Sequence, residues 1–218
     1  MEGKETEREK HFVLVHGACH GAWCWYKVAT LLKSSGHKAT ALDMAAAGVH
    51  PKQPQELNSI VEYVEPLFEF FEGLPRGEKH VRRLDSFMDT KYAFDDGPEK
   101  PPTSFLFGYN FMASKLYQLS PPEDLTLASY LARPLRMFPD RSRFKAEATV
   151  TTSKYGSVPR VYIVCDQDLG IKEDMQRWMI ERNPVDEVCV IPNSDHMVMF
   201  SKPLEFCSTL KQIAENYS

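Results

Sequence analysis

The chain has 218 residues, 43% of them hydrophobic, and a formal net charge of −4. That is enough for one domain with a sizeable core and an inserted subdomain, and the mild acidity with no long basic run excludes the electrostatic footprint of a nucleic-acid or anionic-membrane binder. Five cysteines without a C-x-x-C pair suit a reducing compartment, exclude a standard zinc site and read as small buried apolar side chains.

Residues 1–10 form a charged tail without the apolar core of a signal peptide, and no later run could span a bilayer, which points to the cytosol. The first apolar stretch, His11 to Val15, is a run of β-favouring residues that stops at His16-Gly17-Ala18-Cys19-His20-Gly21. A helical period follows at Tyr26, Val28, Leu31 and Leu32, and Lys38 to Met44 reads as a second strand that completes a β-α-β unit. Such a unit belongs to a parallel α/β sheet, where ligands meet the carboxyl ends of the strands. Gly17 is expected to provide the bend, leaving the amide of Ala18 free to face a bound oxygen; an ordinary Gly turn is the simpler reading of this stretch alone. Neither G-x-G-x-x-G nor G-x-x-x-x-G-K-[ST] occurs here, which sets nucleotide binding aside.

Ala45 to Gln55 is a loop, and Leu57 opens a helical period through Ile60, Val61, Val64, Leu67, Phe68 and Phe71, kinked at Pro66. Gly73 to Gly77 ends it, and Glu78 to Asp85 shows neither an apolar run nor alternation, so no core strand is expected there. Phe87 to Phe107, rich in Pro, Asp and aromatics, reads as a cap or lid. Ser120-Pro121-Pro122-Glu123 predicts a helix start with Ser120 as N-cap and Glu123 closing a capping box, the helix running to about Ala132 before Pro134. The α/β character then returns: a strand over Arg160 to Cys165, a helix from Glu173 to Ile180, a strand over Glu187 to Ile191, and a last helix from Pro203 to Glu215. The expected division is a tail over 1–10, a first core part over 11–84, a cap over 85–152 and a second core part over 153–218.

Asp168 and His196 each follow the carboxyl end of a strand, one strand-helix-strand step apart, so neighbouring strand ends could set a carboxylate against an imidazole. In that geometry the acid orients the ring and the other ring nitrogen serves as general base. Asp166 and Asp195 compete as partners, and taken singly each of these residues reads as an ordinary loop residue.

Three stretches carry a family likeness: His16 to Trp25, Lys115 to Leu125, and Arg160 to Cys165 taken with Asp195-His196-Met197. In that order they resemble the plant methylesterases, α/β-hydrolases related to hydroxynitrile lyases. The resemblance implies a parallel sheet with helices on both faces and a cap subdomain, no cofactor and no metal. It further implies a Ser-Asp-His triad in which Asp168 matches the acid, His196 the base and Ala18 an oxyanion-hole amide, acting on methyl esters of small plant hormones such as salicylate, jasmonate or indole-acetate. Lyase relatives carry a lysine directly after the histidine; Met197 stands there, which favours ester hydrolysis over cyanohydrin cleavage.

The departure from the family is confined to one junction. Between the helix ending near Leu74 and the cap the family has a strand, a G-x-S-x-G nucleophile elbow, a helix and another strand. Here Lys79 runs through His80-Val81-Arg82-Arg83 into cap-like sequence. No serine lies in G-x-S-x-G: Ser157 follows Gly156 but precedes Val158-Pro159, and Ser86 lacks both glycines. With the elbow go the nucleophile and the second oxyanion amide. The expectation is an α/β-hydrolase fold reduced in strand number and less stable than its full-length relatives, with little or no ester-hydrolase activity. The rival readings are a non-catalytic small-molecule binding protein and a shortened product without function. The expected partner is a small-molecule ester or carboxylic acid, without nucleic acid or membrane; a homodimer stays open. Phe105, Phe107 and Tyr117 are candidate pocket walls, with core packing the simpler reading.

Overall fold

The computed structural model describes residues 8–70, 87–138, 140–147 and 155–217. The expectations for Gly73 to Gly77, Glu78 to Asp85 and Ser86, and the domain limits at 84/85 and 152/153, lie outside the described residues.

Strand β1 (His11–Val15) is followed by a 3-10 turn (Ala22–Trp25), helix α1 (Tyr26–Ser34) and strand β2 (Lys38–Leu42). β1 and β2 pair in parallel from His11 opposite Lys38 to Val15 opposite Leu42. Parallel strands require a crossover, and α1 supplies it by burying Val28 and Leu32, four residues apart on one face, against the core. The same logic repeats at the other end of the chain. β6 (Val161–Cys165) and β7 (Glu187–Ile191) pair in parallel, from Val161 opposite Glu187 to Cys165 opposite Ile191, with α7 (Glu173–Arg182) between them.

Among the described residues no strand hydrogen-bonds one pair to the other. The parallel sheet is therefore present as two two-stranded pieces, in line with the reduced strand number that the sequence implies. Helices close the gap. The C-terminal helices, here called by chain position α8 (Val198–Ser201) and α9 (Pro203–Asn216), pack on α1, and α9 also touches β7. Trp25 stacks on Phe206 of α9 with centroids 6.2 Å apart. One apolar cluster joins Leu14, Val28 and Leu32 of the first part to Cys165 and Ile191 of the second. Phe111, Met112, Leu116 and Tyr117 belong to the same cluster.

Between the two parts lie α2 (Ile60–Tyr63) and α3 (Glu65–Phe70), the antiparallel strands β3 (Lys91–Ala93), β4 (Ser104–Leu106) and β5 (Leu135–Arg136), and helices α4 (Tyr109–Phe111), α5 (Pro122–Leu131) and α6 (Arg141–Glu147). α4 runs on as a π-helical turn over Met112–Leu116. Asp89 starts it by accepting from the N–H groups of Asn110 and Phe111, each at 2.9 Å. The single helix expected from Leu57 begins at Ile60, with Ser59 as N-cap, and is interrupted at Val64 ahead of Pro66, because a proline has no N–H to give the carbonyl four residues back and its ring crowds that turn.

Two local expectations are corrected. Ser120 is not an N-cap: α5 starts at Pro122 behind Pro121 with no side-chain cap, and the Ser120 hydroxyl is spent on Asp195 at 2.9 Å. Gly17 is not the residue that bends the first turn, since the left-handed conformation there belongs to Cys19, at φ 62°. A Cβ on Gly17 would meet nothing within 4 Å. In the loops after β1 and β2 the glycines that the backbone requires are Gly21 and Gly48. A Cβ on Gly21 would lie 2.7 Å from both Asp43 Oδ1 and the Cα of Gly48, and Gly48 itself sits at φ 50° against the Asp43 carboxylate. Asp43 in turn holds both loops by accepting from the N–H of Ala22 at 2.6 Å and of Val49 at 3.1 Å. Gly48→Ala is therefore expected to cost more than about 2 kcal/mol in urea denaturation, whereas Gly17→Ala stays within about 1 kcal/mol.

Candidate active site

At the carboxyl ends of β6 and β7, Asp168 Oδ2 accepts a 2.8 Å hydrogen bond from His196 Nδ1. Asp168 is buried, and its Oδ1 takes the N–H groups of Gly170 at 2.7 Å and Ile171 at 2.8 Å. The turn after β6 thus fixes the carboxylate, and the carboxylate fixes the ring. Gly170 is packed tightly here, for a Cβ would stand 2.8 Å from Leu116 and 3.4 Å from His196 Nδ1. The His196 side chain is about one-third exposed (32%), and its Nε2 has no hydrogen-bond partner among the described residues.

The competing acids are used elsewhere. Asp166 accepts from the Ser194 N–H at 3.3 Å. Asp195, fully buried, accepts from the N–H of Leu119, the hydroxyl of Ser120 and the N–H of Met197, at 2.9, 2.9 and 3.0 Å. Tertiary structure therefore selects Asp168 from three acids that are equivalent in sequence.

Ala18 lies in the turn after β1, between two histidines that grip its flanking carbonyls. His16 donates from Nδ1 to the Gly17 carbonyl at 2.8 Å, while its Nε2 accepts from the Met44 N–H at 3.0 Å. His20 donates from Nδ1 to the Ala18 carbonyl at 2.7 Å, and its Nε2 accepts from the Tyr117 hydroxyl at 2.6 Å. Because the peptide unit is planar and trans, holding the Gly17 carbonyl also sets the direction of the Ala18 N–H. That N–H has no acceptor among the described residues. Sequence reasoning passed over both histidines; their spacing on either side of a turn was the available signal.

Burial holds His20 neutral by pushing its pKa from the ordinary 6.5 down to about 4, with a smaller contribution from His196, whose ring charge would oppose a charge on His20. His16 is also lowered by burial. Burial raises the thiols of Cys19 and Cys24 to about 12 and of Cys165 to about 11, and pushes those of Cys189 and Cys207 up as well, which disfavours a thiolate as substitute nucleophile. Among the described residues no group of three or more His, Cys, Asp or Glu side chains could hold a metal. No described helix is long and apolar enough to cross a membrane.

Comparison with known proteins identifies the scaffold. Residues 63–209 match the alpha/beta hydrolase family. Methyl jasmonate esterase 1 of Vitis vinifera is 50% identical over 260 residues, covering 97% of this chain and 99% of the relative. The chain belongs to the plant methylesterase family.

Salicylic acid-binding protein 2 of Nicotiana tabacum is 38% identical, with 96% of this chain and 98% of the relative covered. Among solved structures, tomato methylketone synthase I complexed with 2-tridecanone superposes with a TM-score of 0.88 at 36% identity, over 97% of this chain and 100% of that one. The 260-residue alignment to the grape methylesterase is longer than the 218 residues of this chain, so the relative carries residues with no counterpart here. That excess is what the abrupt junction at Lys79 to Leu84 implies.

A neutral buried His20 is expected to make this chain sensitive to acid. Between about pH 6.5 and about pH 4 the unfolded chain takes up a proton at His20 that the folded chain refuses. Its contribution to stability is complete above that window and is lost as pH falls through it, by up to about 3 kcal/mol. His20→Gln, which cannot take up that proton, is expected to flatten the urea midpoint between pH 7 and pH 4 relative to the parent chain.

Proposed function

We propose that this chain is a methylesterase-family protein that binds small carboxylic esters or acids at the Asp168–His196 pair and hydrolyses methyl esters at no more than trace rates. The observation that carries the reading is the pair itself, closed at 2.8 Å with Nε2 of His196 unpartnered, in a chain with no serine in G-x-S-x-G. In the proposed roles Asp168 orients the ring, His196 takes a proton, and the Ala18 amide supports the developing oxyanion. With no serine to deprotonate, the only acyl acceptor is water, activated by His196 as general base. An acid–base pair with one oxyanion donor retains at most about 10³–10⁴ over the uncatalysed rate. The names of the relatives favour esters of small plant hormones, of the jasmonate or salicylate kind. Steady-state hydrolysis of methyl jasmonate, methyl salicylate and an activated aryl ester is expected to stay within that range; a robust rate abolished by His196→Ala would overturn the reading.

One observation favours a second chemistry at the same place. A histidine-to-alanine variant of tomato methylketone synthase I, 36% identical to this chain, has been solved with β-ketoheptanoate, and a β-keto acid needs no nucleophile to react. Its C–C bond breaks to release CO2, the electron pair passes to the ketone as an enolate that an amide can stabilise, and a proton returns to carbon to give 2-hexanone. Incubation with β-ketoheptanoate is expected to yield 2-hexanone faster than buffer alone, dependent on His196. Equal rates for the parent chain and His196→Ala would leave ester or acid binding as the function.

A further inference from the structure

Five consecutive residues between the π-helical turn and α5 reach the loops that follow β1, β6 and β7. The Leu116 side chain lies against Gly170, which donates to Asp168. The Tyr117 hydroxyl donates to His20, which holds the Ala18 carbonyl. Gln118 donates from Nε2 to the Gln167 carbonyl at 2.6 Å, beside Asp168. Leu119 through its N–H and Ser120 through its hydroxyl both donate to Asp195, the residue before His196.

We infer that Tyr117 and Asp195 are positioning residues through which the segment 116–120 sets the Ala18 amide against the His196 base. The inference rests on reading Ala18, Asp168 and His196 as the ligand site. Its physical basis is that the two strand pairs share no ladder among the described residues, so backbone pairing does not align the loop after β1 with the loops after β6 and β7. Apolar contact holds the halves together but is non-directional, whereas hydrogen bonds fix direction.

Tyr117 acts through tautomer choice. Its hydroxyl occupies Nε2 of a neutral His20, which leaves the proton on Nδ1 and aims it at the Ala18 carbonyl. The His20 ring is held in plane as well, stacked between Trp23 at 5.3 Å and Tyr117 at 5.9 Å. Asp195 acts on backbone. Its Oδ1 closes a turn onto the Met197 N–H while Oδ2 is held from the cap segment, so the His196 backbone between them is set by that segment.

Sodium salicylate serves as the probe, with the full chain, calorimetric affinity, and NMR signals of the Ala18 amide and the His196 ring. Salicylate is expected to move both signals in the parent chain. Tyr117→Phe, which removes one hydroxyl from a buried ring, is expected to weaken salicylate about 5- to 10-fold, and Ser120→Ala about threefold. Tyr26→Phe is the control: it deletes a comparable bond, the 2.9 Å donation to buried Asp124, away from the site, and should lower Tm while leaving affinity within twofold. Tyr117→Phe should add nothing in a His20→Gln background, because it acts through that ring. If salicylate moves both signals but Tyr117→Phe and Ser120→Ala bind as the parent does, the positioning inference is wrong and the site stands. If Tyr26→Phe weakens binding as much as Tyr117→Phe, the effect is global stability and the inference is likewise overturned. If salicylate moves neither signal in the parent chain, the site reading itself fails.

Discussion

The carboxylate of Asp195, sealed from solvent and satisfied by three donors, is the constraint on which the rest of the arrangement depends. Two donors come from the cap segment and one from the loop that carries His196. A buried carboxylate that loses its donors is strongly unfavourable, so these two parts of the chain cannot separate without exposing it. Among the described residues the parallel strands come as two pairs, and this contact supplies an alignment between them.

The other interior carboxylates follow the same rule on a smaller scale. Asp168 is satisfied by two backbone N–H groups and an imidazole, and Asp43 by two backbone N–H groups. Asp124 pairs with Lys27 and the Tyr26 hydroxyl between α1 and α5. Each links segments that are distant in sequence. The exposed pairs, such as Lys38 with Glu9 and Arg177 with Glu173, span solvent and contribute at most about 1 kcal/mol apiece. Architecture here is carried by a few buried acids rather than by surface charge. Arg133 uses the opposite sign to the same end, its guanidinium donating to the carbonyls of Gly48, His50 and Lys52 and so binding the loop after β2 to the end of α5.

The G-x-S-x-G elbow is absent from the sequence, while the Asp168–His196 pair is closed at 2.8 Å. A serine hydrolase divides its work between a nucleophile, a base held by an acid, and amides that receive the oxyanion. In the proposed roles three of those parts lie outside the elbow: Asp168 and His196 follow β6 and β7, and Ala18 follows β1. Their local partners, Gly170, Ile171, His16 and His20, also lie outside the lost segment. A chain can therefore lose the central part of its sheet and keep an organised face at the strand ends.

The sequence by itself determined the elements and the family. Strand β1, α1 and β2 were legible because parallel pairing and helix packing are written in short periods, 2 and 3.6 residues, that a local reading detects. The histidine and the three acids were legible as candidates because they follow strands. The tertiary structure closed the Asp168–His196 pair that the spacing and the resemblance put forward, and it alone decided that Ser120 serves Asp195 rather than capping α5, that Cys19 rather than Gly17 carries the strained turn, and that His20 and Tyr117 meet across 97 positions. Apart from the turn at Cys19, each of those outcomes turns on a hydrogen bond between residues far apart in the chain, and no local period encodes where a distant donor will stand.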